Sequence, residues 1–112
     1  PIDWQMIEAS VRRTGRLLAL DGGHQTGGLA GEIIAHVATH CWQDLRVAPK
    51  RLAMPDVPEA TSPALTESYH VRAEHVAAAI AELVGRDLET ASLATARKYP
   101  HDVPGDWFQG PF

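Results

Sequence analysis

The run Leu17-Leu18-Ala19-Leu20 is enclosed between Gly15 and the loop Asp21-Gly22-Gly23-His24-Gln25-Thr26-Gly27-Gly28. Four apolar residues stopped by glycine on both sides are too few for a helix and predict a buried strand. The residues before the run predict a helix over 4–13. Asp3 is its cap, because a short carboxylate accepts from the free amides of a first turn. Trp4, Ile7 and Val11 recur at helical spacing, Glu8 and Arg12 form an i,i+4 pair on another side, and Gly15 stands where a left-handed C-terminal cap belongs. The residues after the loop predict a second helix over 29–42, with Ala30, Ile33, Ile34, Val37 and Cys41 in one narrow arc. Helix, strand, glycine loop and helix in that order belong to an α/β fold.

Further along, a second short strand is expected over 50–53, between Pro49 and Pro55. Three prolines within residues 55–63 make a connection with fixed bends. A helical turn is expected over 64–68. The clearest helix covers 72–84, with Val76, Ala79, Ile80 and Leu83 as its stripe and Gly85 as its stop. Residues 86–98 have the pattern of a poor helix, and 99–112 hold three prolines, two glycines, Trp107, Phe108 and Phe112. The expected organisation is one domain over 1–85 and an irregular tail over 86–112. The expected fold is α/β in three layers, a mostly parallel sheet flanked by helices. Two strands among three amphipathic helices are too few, so the sheet is expected to lack a strand.

Composition narrows the function classes. With 112 residues the chain has room for one domain and its own core. Fourteen acidic residues against ten basic, a net charge of −4, argue against a nucleic-acid groove, which needs clustered base. No apolar run approaches the roughly 18 residues of a membrane span. The single cysteine, Cys41, excludes an internal disulfide framework and a Cys-only zinc site, and fits a reducing, cytoplasmic compartment. On the core stripe it reads as a small buried hydrophobe. The chain opens Pro1-Ile2-Asp3 without methionine, which raises the expectation of a piece of something longer.

Three constellations could carry chemistry. The loop residues Gly22, Gly23, His24, Gln25, Thr26, Gly27 and Gly28 precede a helix, whose free amides attract anions. They fit neither G-x-G-x-x-G nor a Walker motif, and tight turns with close helix–sheet packing account for them without a ligand. An anion or nucleotide site and an interface loop are both open. Glu32, His36 and His40 fall at i, i+4 and i+8, a spacing that could hold a divalent metal or simply form a solvated flank. His24 is the loop residue that could act as acid or base, or lie at an interface. No nucleophile with a placed base is legible, so no catalytic residue is assigned.

Several segments in sequence resemble the C-terminal domain shared by transketolase and the β subunits of thiamine-diphosphate-dependent 2-oxoacid dehydrogenases. Pro1-Ile2-Asp3 resembles the family's Pro-Leu-Asp before its first helix. Ser10 to Leu18, SVRRTGRLL, is similar to the family's SVRKTGRLL. Thr26-Gly27-Gly28 with Gly31-Glu32-Ile33 resembles TGG..AEI, Ala48-Pro49-Lys50-Arg51-Leu52 and Pro55-Asp56-Val57-Pro58 resemble APVKRV…DVP, and Ser62-Pro63-Ala64-Leu65 with Tyr69 resembles SPALE..Y. A last helix like VEDIVAAVKEL completes a resemblance that covers about residues 1–85. It is closer to the dehydrogenase β subunit, pyruvate or branched-chain type, than to transketolase itself, which is the alternative.

The resemblance implies that a strand of the sheet lies just ahead of Pro1. It implies a parent enzyme that oxidatively decarboxylates a 2-oxo acid and passes the acyl group to lipoamide, using thiamine diphosphate and magnesium. In such enzymes the cofactor is held by Gly-Asp-Gly…Asn-Asn on another domain. Here Gly105-Asp106 has no third glycine and the chain contains no asparagine. The implied role is therefore non-catalytic assembly, with no cofactor on this chain. The implied partners are the rest of the subunit, a second β-type copy, an α-type subunit and the acyltransferase core, with neither nucleic acid nor membrane. Two loops depart from the family: His24-Gln25 replaces Trp-Arg, and Glu59-Ala60-Thr61 replaces a more aromatic IPY. Both are expected to be specificity or interface surfaces.

Overall fold

The computed structural model of the chain describes residues 1–99 and 106–110. Helix α1 (Trp4–Thr14) begins as its sequence demands, with the Met6 amide donating to the Asp3 carboxylate at 3.0 Å. It ends on Gly15 in the left-handed region, φ +69°. That position is closed to side chains twice over, since a Cβ there would also meet Arg46 Cγ at 2.5 Å. Strand β1 (Leu18–His24) follows, then α2 (Leu29–His40), a 3₁₀ turn (Trp42–Asp44) and β2 (Lys50–Met54). The chain continues through α3 (Pro63–Thr66), α4 (Ala73–Val84) and a short α5 (Ala91–Thr95).

β1 and β2 pair in parallel across the α2 crossover, Leu18 to Lys50, Ala19 to Arg51 and Leu20 to Leu52. Alternation divides these residues between two faces. Ala19 and Arg51 face α2, where Gly31 allows the Arg51 guanidinium beneath it; a Cβ on Gly31 would come within 3.1 Å of Nη1. Lys50, Leu20 and Leu52 face the other way, towards α4, and Lys50 is ion-paired with Glu82 there. Arg16 reaches the end of α4 as well, its Nε donating to the Leu83 carbonyl at 2.6 Å. The layers are α2, sheet and α4, the three-layer α/β arrangement expected. The best-buried cluster lies to one side, where Val11 and Val37 meet Cys41 and are flanked by Ile7, Leu17 and Leu45.

Several expectations need correction. The first strand runs on to His24 and is fully buried only at Ala19: Leu20 is 58% exposed. Among the described residues the sheet has two strands, so the far edge of β1 has no neighbour to cover it. The second helix stops at His40 because the chain tightens into the 3₁₀ turn, which leaves Trp42 exposed. In α4 the stripe rotates: Ala79, Ala81 and Leu83 are buried while Ile80 is 47% exposed, because a two-stranded sheet is too narrow for the whole stripe. Residues 86–98 hold one five-residue helix, α5, and Trp107 and Phe108 are exposed beyond it. The rest of the expected irregular tail, residues 100–105 and 111–112, lies outside the described residues. Among the described residues no helix is long and apolar enough to cross a membrane.

The chain is more open than a compact monomer of its mass. A compact monomer of 12.2 kDa exposes about 6,100 Å². This chain exposes 7962 Å², and its radius of gyration is 16.1 Å where about 13 Å is usual for the length.

Candidate functional site

In open parallel sheets, sites gather outside the carboxyl ends of the strands. Here β1 arrives irregularly. Between the pairs Leu20–Leu52 and His24–Met54, three residues of β1 (Asp21, Gly22, Gly23) stand opposite one of β2 (Ala53). This insertion turns Asp21 back beneath α2 and carries His24 outward. The Asp21 carboxylate accepts from the Gly23 amide at 2.9 Å and from the Ala30 amide, in the first turn of α2, at 3.0 Å. The Ala30 bond first, then that from Gly23, holds the Asp21 carboxyl below the usual carboxylate range against a small opposing effect of burial. The free amides of α2, which offer an anion site in the sequence, thus face a carboxylate of the chain's own.

Gly28 is the hinge of this arrangement. A Cβ on it would overlap the His24 carbonyl oxygen and stand 2.8 Å from Asp21 Oδ2. Gly27 occupies the left-handed region at φ +76°, and Gly22 has open space around it. The Gln25 amide donates to the Met54 carbonyl at 2.8 Å, closing the loop onto β2. Thr26 is clasped by Asp56, its amide donating at 2.8 Å and its hydroxyl at 2.6 Å. Those two bonds, the hydroxyl first, lower the Asp56 carboxyl. The seven loop residues singled out in the sequence are therefore brought together, and the proline-rich connection pins them.

His24 Nε2 lies 3.2 Å from the hydroxyl of Tyr69, which is buried and also 3.4 Å from the Val57 carbonyl. The neighbouring His70 pairs with Glu59 at 3.3 Å. Between them lies an open cleft of about 350 Å³, walled by Gly22, Gly23, His24, Met54, Glu59, Tyr69 and His70. Its polar side chains are bonded to one another, His24 to Tyr69 and His70 to Glu59.

Glu32, His36 and His40 take different partners. His36 Nε2 bonds Glu8 Oε1 of α1 at 2.8 Å, His40 Nδ1 turns to the His36 carbonyl at 2.8 Å, and Glu32 is exposed. Among the described residues no three His, Cys, Asp or Glu side chains gather to hold a metal. Sequence reasoning missed Asp21 and Asp56. Asp21 carried a signal, a short acid just before Gly-Gly and one loop ahead of a helix without its own cap. Asp56 did not, since thirty residues separate it from Thr26.

A domain built on this strand–loop–helix–strand unit, with its parallel sheet between α2 and α4, is a three-layer α/β assembly. Residues 1–76 match the family described as transketolase, C-terminal domain, and the chain belongs to that family. It is 32% identical over 84 residues to the 2-oxoisovalerate dehydrogenase subunit beta of Bacillus subtilis (strain 168), a match covering 74% of this chain and 26% of the relative. Against the pyruvate dehydrogenase E1 component subunit beta of Porphyra purpurea it is 26% identical over 84 residues, 75% of this chain and 25% of the relative. A third relative is the mitochondrial 2-oxoisovalerate dehydrogenase subunit beta 2 of Arabidopsis thaliana, 38% identical over 58 residues, 52% and 16% of the two chains. The chain spans about a quarter of the length of the first two.

Proposed function

We propose that this chain is the assembly domain of a thiamine-diphosphate-dependent 2-oxoacid dehydrogenase β subunit, making contacts while the chemistry proceeds on other domains. The observation that carries the reading is the unpaired edge of β1, with Leu20 in water beside it. A parallel sheet is stable when its faces and edges are covered, and among the described residues neither outer edge of this one has a neighbouring strand. The covering partners are the rest of the same subunit, a second β-type copy, an α-type subunit and the acyltransferase core.

The residues present do not fit a diphosphate–magnesium site. Asp106, the acid of the partial motif, is ion-paired with Lys98 at 2.6 Å, and Gly105 lies outside the described residues. The cofactor therefore belongs elsewhere in the parent enzyme, and no step of the decarboxylation is assigned to this chain. Of the two readings of residues 22–28, interface loop and anion site, the Asp21 carboxylate at the helix N-terminus favours the interface.

Light scattering with size exclusion tests the proposal. The chain alone is expected to self-associate or to precipitate, and Leu20→Lys to shift it to monomer. A monodisperse, heat-resistant monomer without the substitution would overturn the assembly reading.

A further inference from the structure

The end of the sheet opposite the 22–28 loop carries a second cleft, which the assembly reading does not use. Its wall is the short segment between α2 and β2. Trp42 opens the 3₁₀ turn and is 70% exposed, more than any other large apolar residue described within 1–85. Val47 is exposed as well, and with Trp42, Leu45 and Pro49 it lines an open cleft of about 570 Å³, a size that takes a ligand or a partner's side chains. The wall is held at several points. Leu45 packs against the Val11–Val37 cluster, and the amides of Arg46 and Lys50 each donate at 2.9 Å, to the Gly15 and Leu17 carbonyls. The cleft is therefore formed before anything enters it, so filling it costs little ordering of the chain.

The charge on this wall has one sign. Arg46 is its only charged residue, on a chain whose net charge is −4. The stem of Arg46 lies over Gly15, and among the described residues its guanidinium is ion-paired with no carboxylate. Asp44, the acid of the same segment, leans instead towards Arg12 of α1 at 3.8 Å. An apolar or basic occupant would strand the Arg46 charge, whereas a carboxylate meets a guanidinium with paired hydrogen bonds. Tryptophan and arginine are also the side chains that most often carry the energy of an interface. Here they share one cleft wall.

We infer that this cleft docks an acidic segment of a protein partner. An apolar side chain of the partner packs against Trp42 and Val47, and a neighbouring carboxylate pairs with Arg46. Leu20 is no part of the wall, so the contact stands or falls separately from the self-association expected at the edge of β1. Attraction between exposed charges is screened by salt, so the docking is tightest at low ionic strength.

The test uses the full chain and a fluorescein-labelled hexapeptide, Glu-Glu-Leu-Phe-Glu-Glu, read by fluorescence anisotropy. Saturable binding is expected with a Kd below about 1 mM. A peptide with Lys in place of every Glu, and one with Ser in place of Leu and Phe, are each expected to bind at least about tenfold more weakly. Arg46→Glu and Trp42→Ala are expected to weaken the acidic peptide by a similar factor, and Leu20→Lys to leave its binding unchanged. No saturable binding, equal binding of either control peptide, or binding that either cleft substitution leaves unchanged would overturn the docking site. Should a variant not fold, as read by circular dichroism, proton NMR of the unsubstituted chain decides. A shift of the Trp42 indole N–H on adding the acidic peptide, reversed as salt rises from about 0.05 to 0.5 M, supports the site. An unmoved Trp42 resonance, or a shift indifferent to salt, overturns it.

Discussion

The two sides of this domain are finished to different degrees. On the helical side, Val11 and Val37 of α1 and α2 close over Cys41 with almost no surface left to water, and the Trp4–His36 stack ties the helices together. On the sheet side, Ala19 is covered by α2, but Leu20, one residue further on, stands 58% exposed at an edge with no neighbouring strand. The same short sequence feeds both sides. The difference separates a helical side whose apolar residues cover one another from a sheet side whose apolar edge residue stays in water.

Substitutions can break that contrast. Val37→Asp puts a charge into the closed cluster and is expected to cost more than about 4 kcal/mol, enough to unfold a domain of this size, as read by circular dichroism. Leu20→Lys, a change of similar violence on paper, is expected to alter stability by less than about 0.5 kcal/mol while removing self-association. Equal losses at the two sites would abolish the distinction.

Glycine exchanges sharpen it. Gly15 and Gly85 share the same left-handed conformation, φ +69° and +68°. A Cβ on Gly15 strikes the Arg46 side chain, while Gly85 has nothing within 4 Å. Gly85→Ala is expected to cost about 1 kcal/mol from backbone strain alone, and Gly15→Ala a further increment from displaced Arg46, both read by urea denaturation. A smaller loss at Gly15 than at Gly85 would mean that Arg46 swings away freely.

The smallest expected effect is an acid limb. Asp21 has its folded-state carboxyl lowered by the Ala30 and Gly23 amides. Its contribution to stability is therefore present above the ordinary carboxylate range and lost as pH falls through the depressed value. Asp21→Asn is expected to flatten this limb of the thermal midpoint below about pH 4, with little change near neutrality. An unchanged limb would show that the α2 cap does not depend on the charge.

Much of the fold was legible because the punctuation is local. Asp3, Gly15, Pro55 and Gly85 each act within a turn or two, and the helices and strands end where these residues end them. The exposure of Leu20 and Ile80 was not legible, since an apolar residue announces that it can be buried and not whether its cover lies in the same chain. The loop was legible as a unit, but its internal chemistry was not. Asp21 reaching Ala30 depends on three residues of β1 standing opposite one of β2, a register that no periodicity reveals. His36 choosing Glu8 over Glu32 likewise depends on how α1 crosses α2.

Cys41 gives the contrast a clock. It is the chain's only thiol and is buried in the Val11–Val37 cluster. A thiol reagent can react with it only when that cluster opens, so its labelling rate counts openings of the helical side alone. Hydrogen exchange at the amides of β1 counts openings of the other. Run side by side, the two rates convert a difference in architecture into a difference in lifetimes, and a partner that docks on β1 should slow the exchange while leaving the labelling untouched.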